Sequence, residues 1–465
     1  MDIASPSAQG VGAEGITAFL DAIERDPRIE PHGLIIQRHG HRIVEGYWAP
    51  HTGERSRLVY SLSKSFTGTA LALQIGEGRL ALDDLVSDHL PELFDDHTPD
   101  ASRRMRIRHI ASMSTGHDRE TLLEAFTINP ADPVHGFLSI PPDAEPGTLF
   151  AYNQPPVLTL ARILQGLAGE SLVDYLRPRI LDPLGIGDLA WTQSPSGGDL
   201  GFSGVYTNLD AIARLGQLYL DDGVLDGRRL LPDGWVADAS SVQVANPERD
   251  EADWRQGYGF QLWMSRHGYR GDGAFGQYMV VLPEHDTVVA MFSCIERMQI
   301  ILDAMWEHLL PALQPPALGG DDALARRLAN LALPTVGERC GGGPPSDVPA
   351  MTFGRVPSGT PSHPTVTSIE TTRQRMVIHE GDRSIEVPLT HGWSVDEGSS
   401  LAASTTRLAN GALAVDLVFL ATPHRLEIEL DPAAGTFVAR WPLVPLFGVG
   451  LDRHLTSMAR PRSDE

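Results

Sequence analysis

Apolar residues recur with the period of an α-helix in several stretches of the first 310 residues. This spacing predicts helices over residues 15–26, 61–77, 155–167, 209–222 and 298–313. Short β-type runs predict strands over residues 33–36, 42–48, 258–264, 278–282 and 287–292. The strand patterns lie at both ends of this region and the helical patterns lie mostly between them. This order predicts an α/β (α+β) domain, in which helices flank an antiparallel sheet and a helical subdomain is inserted.

The pattern changes after a connector that contains Pro315 and the glycine- and proline-rich run 341–345. Further strands with alternating polarity are predicted over 375–379, 383–388, 413–420, 425–430 and 436–441. We therefore predict a first domain over residues 1–312, a linker with one short helix over 313–350, and a C-terminal antiparallel β domain over 351–465. A small lipocalin-like barrel is one arrangement of such strands.

Charge and composition exclude several classes of partner. The formal net charge of −23 disfavours nucleic acid, whose phosphates such a protein repels. No run reaches the roughly 18 apolar residues of a membrane span, so no membrane partner is expected. The N-terminus has neither the basic start nor the apolar run of a secretion signal. The two cysteines cannot form a disulfide framework. These features together predict a cytoplasmic location.

The basic residues are distributed in an unusual way. Of the 37 basic residues only Lys64 is a lysine, and all the others are arginines. Arginine keeps its proton near neutral pH, so a lone lysine indicates a role that needs deprotonation. Ser61 stands three residues earlier, at the start of a predicted helix, so its hydroxyl and the Lys64 amine share one helix face. A serine hydroxyl needs a base to attack a carbonyl, and a desolvated lysine can serve as that base.

The segment from Ser61 to Pro91 resembles the first signature region of the SxxK serine hydrolases. This family includes the penicillin-binding proteins, the class C β-lactamases and their esterase relatives. Further segments are similar to later motifs of the family, in the same order along the chain: 110–117, 146–154, 204–218 and 271–277. The resemblance covers roughly residues 15–310 and implies the β-lactamase/transpeptidase-like fold.

The resemblance also implies the catalytic groups. Ser61 is the expected nucleophile and Lys64 its activator. Tyr152, in a segment similar to the Tyr-x-Asn motif, would take the proton from Ser61 and return it to the leaving group, with Lys64 holding its pKa down. Backbone N–H groups of Ser61 and Ala274 would form the oxyanion hole.

Substrate-binding positions follow from the same motifs, with two departures. Gln154 stands where the family has asparagine. Gly271 and Asp272 stand where the family has Lys or His followed by Thr or Ser, and Gly273 completes the motif. The missing cation makes a β-lactam or another carboxylate-bearing substrate a poor candidate. A turn-capping role for Asp272 is an equal alternative.

The expected reaction is hydrolysis of esters or amides through an acyl-Ser61 intermediate, most simply by an esterase. A peptidase, a D-amino-acid amidase and a penicillin-binding-protein-type thioesterase or peptide cyclase are alternatives with the same chemistry. A non-catalytic binding protein that retains the fold is an alternative of another class. The expected partner is a small-molecule or peptide acyl substrate. No cofactor and no metal are expected, since a hairpin turn accounts for His39 and His41.

Overall fold

The structure is a computed structural model, and it describes all residues except 196, 316, 347, 357–364, 447 and 456–465. Its described α-helices are α1 Ala13–Arg25, α2 Ser63–Gly76, α3 Val86–His89, α4 Asp100–Arg103, α5 Ile107–Ala111, α6 Leu122–Ile128, α7 Pro133–Leu138, α8 Gln154–Ala168, α9 Leu172–Leu176, α10 Leu209–Leu220, α11 Trp235–Ala239, α12 Gln299–Ala304, α13 Leu310–Ala312, α14 Asp321–Leu328, α15 Val336–Cys340 and α16 Asp452–Leu455. Short 3-10 segments occupy Ser7–Gln9, Tyr60–Leu62, Pro91–Leu93 and Pro283–His285, and π-helical turns occupy Arg177–Leu181 and Met305–Leu309. Among these described helices, none has the length and apolarity needed to cross a membrane.

The described strands form two large sheets and two small ones. They are β1 Asp2–Ile3, β2 Glu30–Arg38, β3 His41–Tyr47, β4 Arg57–Leu58, β5 Leu189–Trp191, β6 Val205–Thr207, β7 Val224–Leu225, β8 Arg228–Arg229, β9 Trp263–Met264, β10 Tyr269–Gly273, β11 Gln277–Leu282, β12 Thr287–Cys294, β13 Met351–Arg355, β14 Ser368–Thr371, β15 Arg375–Glu380, β16 Arg383–Pro388, β17 Ser394–Asp396, β18 Leu401–Arg407, β19 Leu413–Phe419, β20 Arg425–Asp431 and β21 Thr436–Arg440.

The first domain is built on a seven-stranded sheet with the order β1-β3-β2-β12-β11-β10-β9. Strands from both ends of the domain meet where β2 pairs with β12, and all neighbours are antiparallel except the edge strand β1. Strands β2, β11 and β12 are buried along nearly their whole length, because helices α1 and α10 pack against this sheet. The predicted antiparallel sheet with flanking helices is confirmed.

The helical subdomain lies between β4 and β9 in the sequence. Its longest helices, α2 and α8, pack against each other. Helix α2 is buried on nearly all sides, as expected for a helix without a polar face. Helix α8 presents its apolar stripe to the same core. The site described below lies where the N-terminal ends of these two helices meet β10.

The C-terminal domain is a nine-stranded sheet that is nearly closed into a barrel, with the order β16-β15-β14-β13-β21-β20-β19-β18-β17. Every neighbouring pair is antiparallel except β13 and β21. The barrel has its own apolar core, which includes Phe353, Leu417 and Phe437. The predicted C-terminal antiparallel β domain is therefore confirmed. The preceding connector is attached to both domains, because Leu324 packs into the first core while α15 packs on β18.

One predicted strand is mostly a turn. Of residues 258–264 only Trp263 and Met264 form a strand, because Gln261 has a left-handed backbone with φ of 61°. The Gly259 N–H donates to the Leu262 carbonyl at 2.8 Å and closes the turn. The turn brings Tyr258 against Trp263, with 4.9 Å between their ring centroids. The apolar run therefore supplies only the two-residue edge strand β9 to the sheet, and it brings two aromatic side chains together beside Tyr152.

Candidate active site

Ser61 lies in a tight turn before the buried helix α2. The turn is a 3-10 segment, Tyr60–Leu62, so α2 begins at Ser63, two residues later than the sequence pattern predicts. Ser61 is partly exposed, whereas residues 62–73 are all buried. The only hydroxyl in the first turn that faces Lys64 at hydrogen-bond distance, among the described contacts, is that of Ser61, with Oγ 3.2 Å from Nζ. The i, i+3 spacing thus brings the hydroxyl and the amine together.

Lys64 is surrounded by acceptors and apolar rings. Its side chain is 2% exposed. Nζ donates to Gln154 Oε1 at 2.7 Å and to the carbonyl of Phe202 at 2.8 Å. Burial lowers the pKa of the amine from 10.5 to about 7, although the carboxylates of Asp272 and Glu120 act in the opposite direction. A neutral amine has two protons and one lone pair. In the neutral form the two fixed acceptors can take both protons and the lone pair faces Ser61 Oγ, whereas in the ammonium form Nζ donates to Ser61 Oγ as well.

Tyr152 stands on the other side of the same amine. Lys64 Nζ is 4.9 Å from the centroid of its ring, and the ring stacks on Trp263 with a centroid distance of 5.1 Å. Burial and the Asp272 carboxylate raise the pKa of the phenol above its usual 10, and hydrogen bonding to Ser61 opposes this rise. Tyr152 is therefore a protonated group beside the Ser61 hydroxyl at neutral pH.

Gln154 is the first residue of α8, and it binds Lys64 through its side-chain carbonyl. Its backbone N–H donates to Glu120 Oε1 at 3.2 Å. The preceding Asn153 is fully buried and accepts hydrogen bonds from the backbone and hydroxyl of Thr121. Asn153 therefore holds the loop in place, while Gln154 supplies the amide that faces the Lys64 amine.

Strand β10 approaches the Ser61 turn as closely as two backbones can. A Cβ added at Gly273 would lie 2.0 Å from the carbonyl oxygen of Val59. Ala274 follows in the β10–β11 hairpin, and the ring of Phe275 lies 5.3 Å from that of Tyr60. Ala274 and Phe275 both pack against the apolar cluster that contains Tyr60, the residue before Ser61.

Neighbouring positions of β10 face different surroundings. A Cβ at Gly271 would lie 2.2 Å from Ser65 Oγ, so a side chain at this position would meet α2. Asp272 is the residue of this strand whose charge acts on Lys64 and Tyr152. Strand alternation therefore turns position 271 towards α2 and position 272 towards the other face of the strand, and the alignment of Gly271 with the family's cation stays a prediction.

Asp272 is neither exposed nor in a turn, so the turn-capping alternative is wrong. It lies inside β10 and is 8% exposed. Its Oδ2 accepts from Arg270 Nε at 2.9 Å, and the Arg270 guanidinium lies 4.2 Å from the ring centroid of Trp254. Burial raises the pKa of the Asp272 carboxyl, and Arg270 opposes this. The site therefore contains a carboxylate paired with a buried arginine, rather than an unpaired cation.

Sequence reasoning missed three groups of this site. The Phe202 carbonyl has no side-chain signal in a sequence. Glu120 lies in a polar loop typical of any surface. Trp263 was predicted only as part of a longer strand, and the turn at Gln261, which brings its ring against Tyr152, was not predicted.

A second polar cluster lies away from this site. Glu30, His32 and His51 bring one carboxylate oxygen and two imidazole nitrogens within 4.8 Å of one another. The sequence analysis did not identify this cluster, because His51 reaches the other two residues only through the folding of the chain. However, Arg425 Nη2 pairs with Glu30 at 2.7 Å, and Arg57 and Arg425 help to lower the pKa of His32. This positive charge opposes a cation, so we assign no metal to the cluster.

Comparison with known proteins gives a consistent result. The chain is 24% identical over 325 residues to the 6-aminohexanoate-dimer hydrolase of Paenarthrobacter ureafaciens, covering 63% of this chain and 80% of that protein. It is 27% identical over 272 residues to penicillin-binding protein 4 of Amycolatopsis lactamdurans, covering 50% and 70% respectively.

Solved structures share the fold. A putative 6-aminohexanoate-dimer hydrolase from Bacillus anthracis superposes with a TM-score of 0.56 at 19% identity, over 68% of this chain and 89% of that one. The structure of SurE with D-Leu superposes with a TM-score of 0.51 at 16% identity, over 94% and 99%. The second likeness includes the C-terminal β domain. The family model described as Beta-lactamase matches residues 20–297, more than half of the chain. The protein belongs to the beta-lactamase family.

Proposed function

We propose that the protein is a serine hydrolase that cleaves esters and amides through an acyl-Ser61 intermediate. The observation that carries this proposal is the environment of Lys64. Its two fixed acceptors, Gln154 Oε1 and the Phe202 carbonyl, direct the lone pair of the neutral amine at Ser61 Oγ. A merely structural lysine would need its charge, and burial without a paired carboxylate opposes that charge.

The two pKa directions assign the proton transfers. Lys64 accepts the proton of Ser61 as Oγ adds to the substrate carbonyl. Burial lowers the pKa of its amine to about 7, so the neutral amine is available as a base at neutral pH. The backbone N–H groups of Ser61 and Ala274 stabilise the resulting oxyanion. Tyr152 donates its proton to the leaving alkoxide or amine and recovers one from Lys64. The sequence-based role of Tyr152 as the first proton acceptor is less consistent with its raised pKa. Water then cleaves the acyl-enzyme by the same groups.

The substrate class follows from the charges near Ser61. Position 271 is a glycine and carries no cation, and the Asp272 carboxylate already pairs with Arg270. We therefore expect substrates whose recognition does not depend on a free carboxylate at this strand. Short esters and amides should be hydrolysed much faster than penicillins or cephalosporins. The relative from Paenarthrobacter ureafaciens, named as a hydrolase of an amide dimer, supports the inclusion of amides.

A peptide thioesterase or cyclase is the second candidate, favoured by one observation. The likeness to SurE extends over 94% of this chain and includes the barrel, and that structure holds D-Leu. D-amino-acid esters and amides therefore belong in the substrate panel. A cyclase would release a cyclic product from a linear peptide thioester, whereas a simple hydrolase would release only the acid.

Covalent labelling tests the proposal directly. A fluorophosphonate probe should add to Ser61, as mapped by mass spectrometry of the digested protein, and Ser61→Ala should abolish the adduct. Turnover of p-nitrophenyl esters should disappear with it, while circular dichroism stays unchanged. An adduct at Ser63, Ser65 or Ser203 would refute the assignment of the nucleophile. Absence of any adduct in the wild type would favour a non-catalytic binding protein.

A further inference from the structure

The residue before the nucleophile has an unfavourable backbone conformation. Tyr60 has φ of 50°, in the left-handed region that residues with a side chain rarely adopt. Its carbonyl accepts a hydrogen bond from Ser63 Oγ at 2.6 Å, which stabilises the turn from within. Such a conformation persists only where surrounding contacts hold it. The contacts of the Tyr60 side chain therefore matter for the turn.

The strongest contact comes from the C-terminal domain. The phenol oxygen of Tyr60 lies 2.6 Å from Nε2 of His424, in the turn between β19 and β20. Both side chains are almost completely buried, at 2% and 1% exposure. The backbones also meet, because the N–H of Leu58 donates to the carbonyl of Ala421 at 2.9 Å. The barrel therefore contacts the chain immediately before Ser61 at two points.

The same histidine contacts Phe275, the residue that follows Ala274. The ring of Phe275 lies 4.7 Å from that of His424 in an edge-on arrangement. Phe275 follows Ala274 and also has a left-handed backbone, with φ of 67°. His424 thus lies between two strained residues. One of them precedes Ser61 and the other follows Ala274.

The protonation states fix the direction of the hydrogen bond. Burial raises the pKa of the Tyr60 phenol and keeps the pKa of His424 well below 6.5, so both groups are neutral at pH 7. Tyr60 is then the donor and Nε2 the acceptor, which places the imidazole proton on Nδ1. A short hydrogen bond between neutral buried groups defines one orientation of the Tyr60 side chain.

We propose that His424 of the β domain is a positioning residue for the acyl-transfer reaction, acting through Tyr60 and Phe275 on Ser61 and Ala274. This role rests on the proposed function. The barrel would then belong to the catalytic apparatus without contributing an atom to the chemistry. Loss of the contact would leave the three catalytic side chains present and misplace the nucleophile against its oxyanion hole.

Three variants of the full chain test this role. Tyr60→Phe removes only the hydroxyl that bonds His424. His424→Ala removes the acceptor and the ring packed on Phe275, and His424→Gln restores an acceptor. His379→Ala, in the same domain, is the matched control because His379 contacts Ser384 and Glu370 instead. The measurements are kcat and KM for a p-nitrophenyl ester and the rate of fluorophosphonate labelling at Ser61.

We expect kcat and the labelling rate to fall roughly 10- to 100-fold in Tyr60→Phe and His424→Ala, since small displacements of a nucleophile have effects of this size. KM should change little, His424→Gln should recover much of the loss, and His379→Ala should match the wild type. The double variant Tyr60→Phe/His424→Ala should be no slower than the slower of the two single variants, because both substitutions remove the same hydrogen bond.

Wild-type labelling rates in Tyr60→Phe would overturn the positioning role, even if His424→Ala fails to fold. The role would also be overturned if His424→Gln and His424→Ala lost total activity equally and did so only because fewer molecules are folded. In that case the Tm would fall and kcat per folded molecule would stay unchanged. A wild-type protein that is not labelled at Ser61 would refute the proposed function itself, and the positioning role with it. Normal labelling of the wild type with normal variants refutes only the positioning role.

Discussion

At the scale of single residues, the proposed mechanism depends on a proton that Lys64 must lose. Its amine has a pKa of about 7, lowered by burial, and the amide of Gln154 faces it without adding charge. A neutral acceptor orients the amine and leaves its proton affinity low. A carboxylate at the same distance would orient it equally well and hold the proton.

This difference predicts a pH effect. Because the neutral amine is the active form, kcat/KM should be low below pH 7, rise through about pH 7 and level off above it. Gln154→Glu should move this rise to higher pH, since an adjacent negative charge favours the ammonium. Gln154→Asn is the control, because it adds no charge. The measurement is a pH profile of ester hydrolysis, and an unchanged midpoint in Gln154→Glu would contradict the role given to Lys64.

Replacing Lys64 separates charge from basicity. Lys64→Arg keeps a cation but cannot accept a proton near neutral pH. It should lower kcat/KM for a p-nitrophenyl ester almost as far as Lys64→Ala, by about 10²-fold or more as expected for loss of a general base. Far-ultraviolet circular dichroism of both variants checks the fold. Retention of a tenth or more of the activity in Lys64→Arg would mean that the position needs only a charge.

At the scale of elements, the site depends on the close approach of β10 to α2 and to the turn before it. Two glycines permit this approach in different ways. The space beside Gly271 is limited by a side-chain hydroxyl, that of Ser65, whereas the space beside Gly273 is limited by the backbone carbonyl of Val59. A side chain can be trimmed by mutation, but a backbone carbonyl cannot.

This contrast predicts a rescue at one glycine only. Gly271→Ala should lower both the Tm and esterase activity, because its Cβ would meet Ser65 Oγ at 2.2 Å. The double variant Gly271→Ala/Ser65→Ala should recover most of both, since the nearest atoms of Ser65 and Met279 then lie at 3.4 Å. Gly273→Ala should not be rescued by Ser65→Ala. Thermal unfolding and p-nitrophenyl ester turnover measure the effect. Equal behaviour of the two glycines would contradict the described packing.

The elements also show what a sequence can and cannot predict. Long helices such as α8 and α10 follow from periodicity, because one face of each packs on the core. Strand β18 was missed. Its residues Leu401–Thr406 are all buried, since α15 covers its outer side, so no alternation of polarity remains. The small polar residues there are bonded locally, as in the hydrogen bond from the Val336 N–H to Ser404 Oγ.

For the site, the sequence predicted the residues that a local pattern or an ordered motif marks. Ser61 and Lys64 are one helical turn apart, and Tyr152 lies in a recognisable segment. The turn-capping alternative for Asp272 was wrong because the pairing that places this residue inside β10 is a property of the whole sheet. The contact between Tyr60 and His424 joins residues 364 positions apart, and neither residue carries a local signal for it.

At the scale of the whole molecule, a buried ion-pair network joins the two domains. Arg425 of the barrel binds Glu30 of the first domain at 2.7 Å and Asp416 of the barrel at 2.6 Å. The Arg425 side chain is 7% exposed, and Asp416 is 1% exposed. Asp416 also accepts a pair of hydrogen bonds from Arg339. Removal of Arg425 would leave the buried Asp416 with Arg339 alone and would take the guanidinium away from Glu30, and removing a partner from buried charges is destabilising.

Arg425→Ala should therefore lower the free energy of unfolding by about 3 kcal/mol, the usual size for a broken buried pair. Arg383→Ala is the matched control, because its pair with Asp452 lies on the surface with Arg383 66% exposed. The control should change stability by less than about 1 kcal/mol. Urea denaturation followed by tryptophan fluorescence measures both values. Similar losses in the two variants would show that the domains are not held together by this network.

The solitary lysine makes the catalytic amine spectroscopically isolated. Protein grown with lysine enriched in ¹³C at Cε alone, or in ¹⁵N at Nζ alone, would give one side-chain NMR signal, without overlap and without any need for assignment by mutation. Its chemical shift against pH would report the titration of Lys64 in the resting protein. The same signal would report the acylated protein, in which Ser61 Oγ no longer faces the lone pair. A proton that in most hydrolases is inferred from rates can here be observed directly.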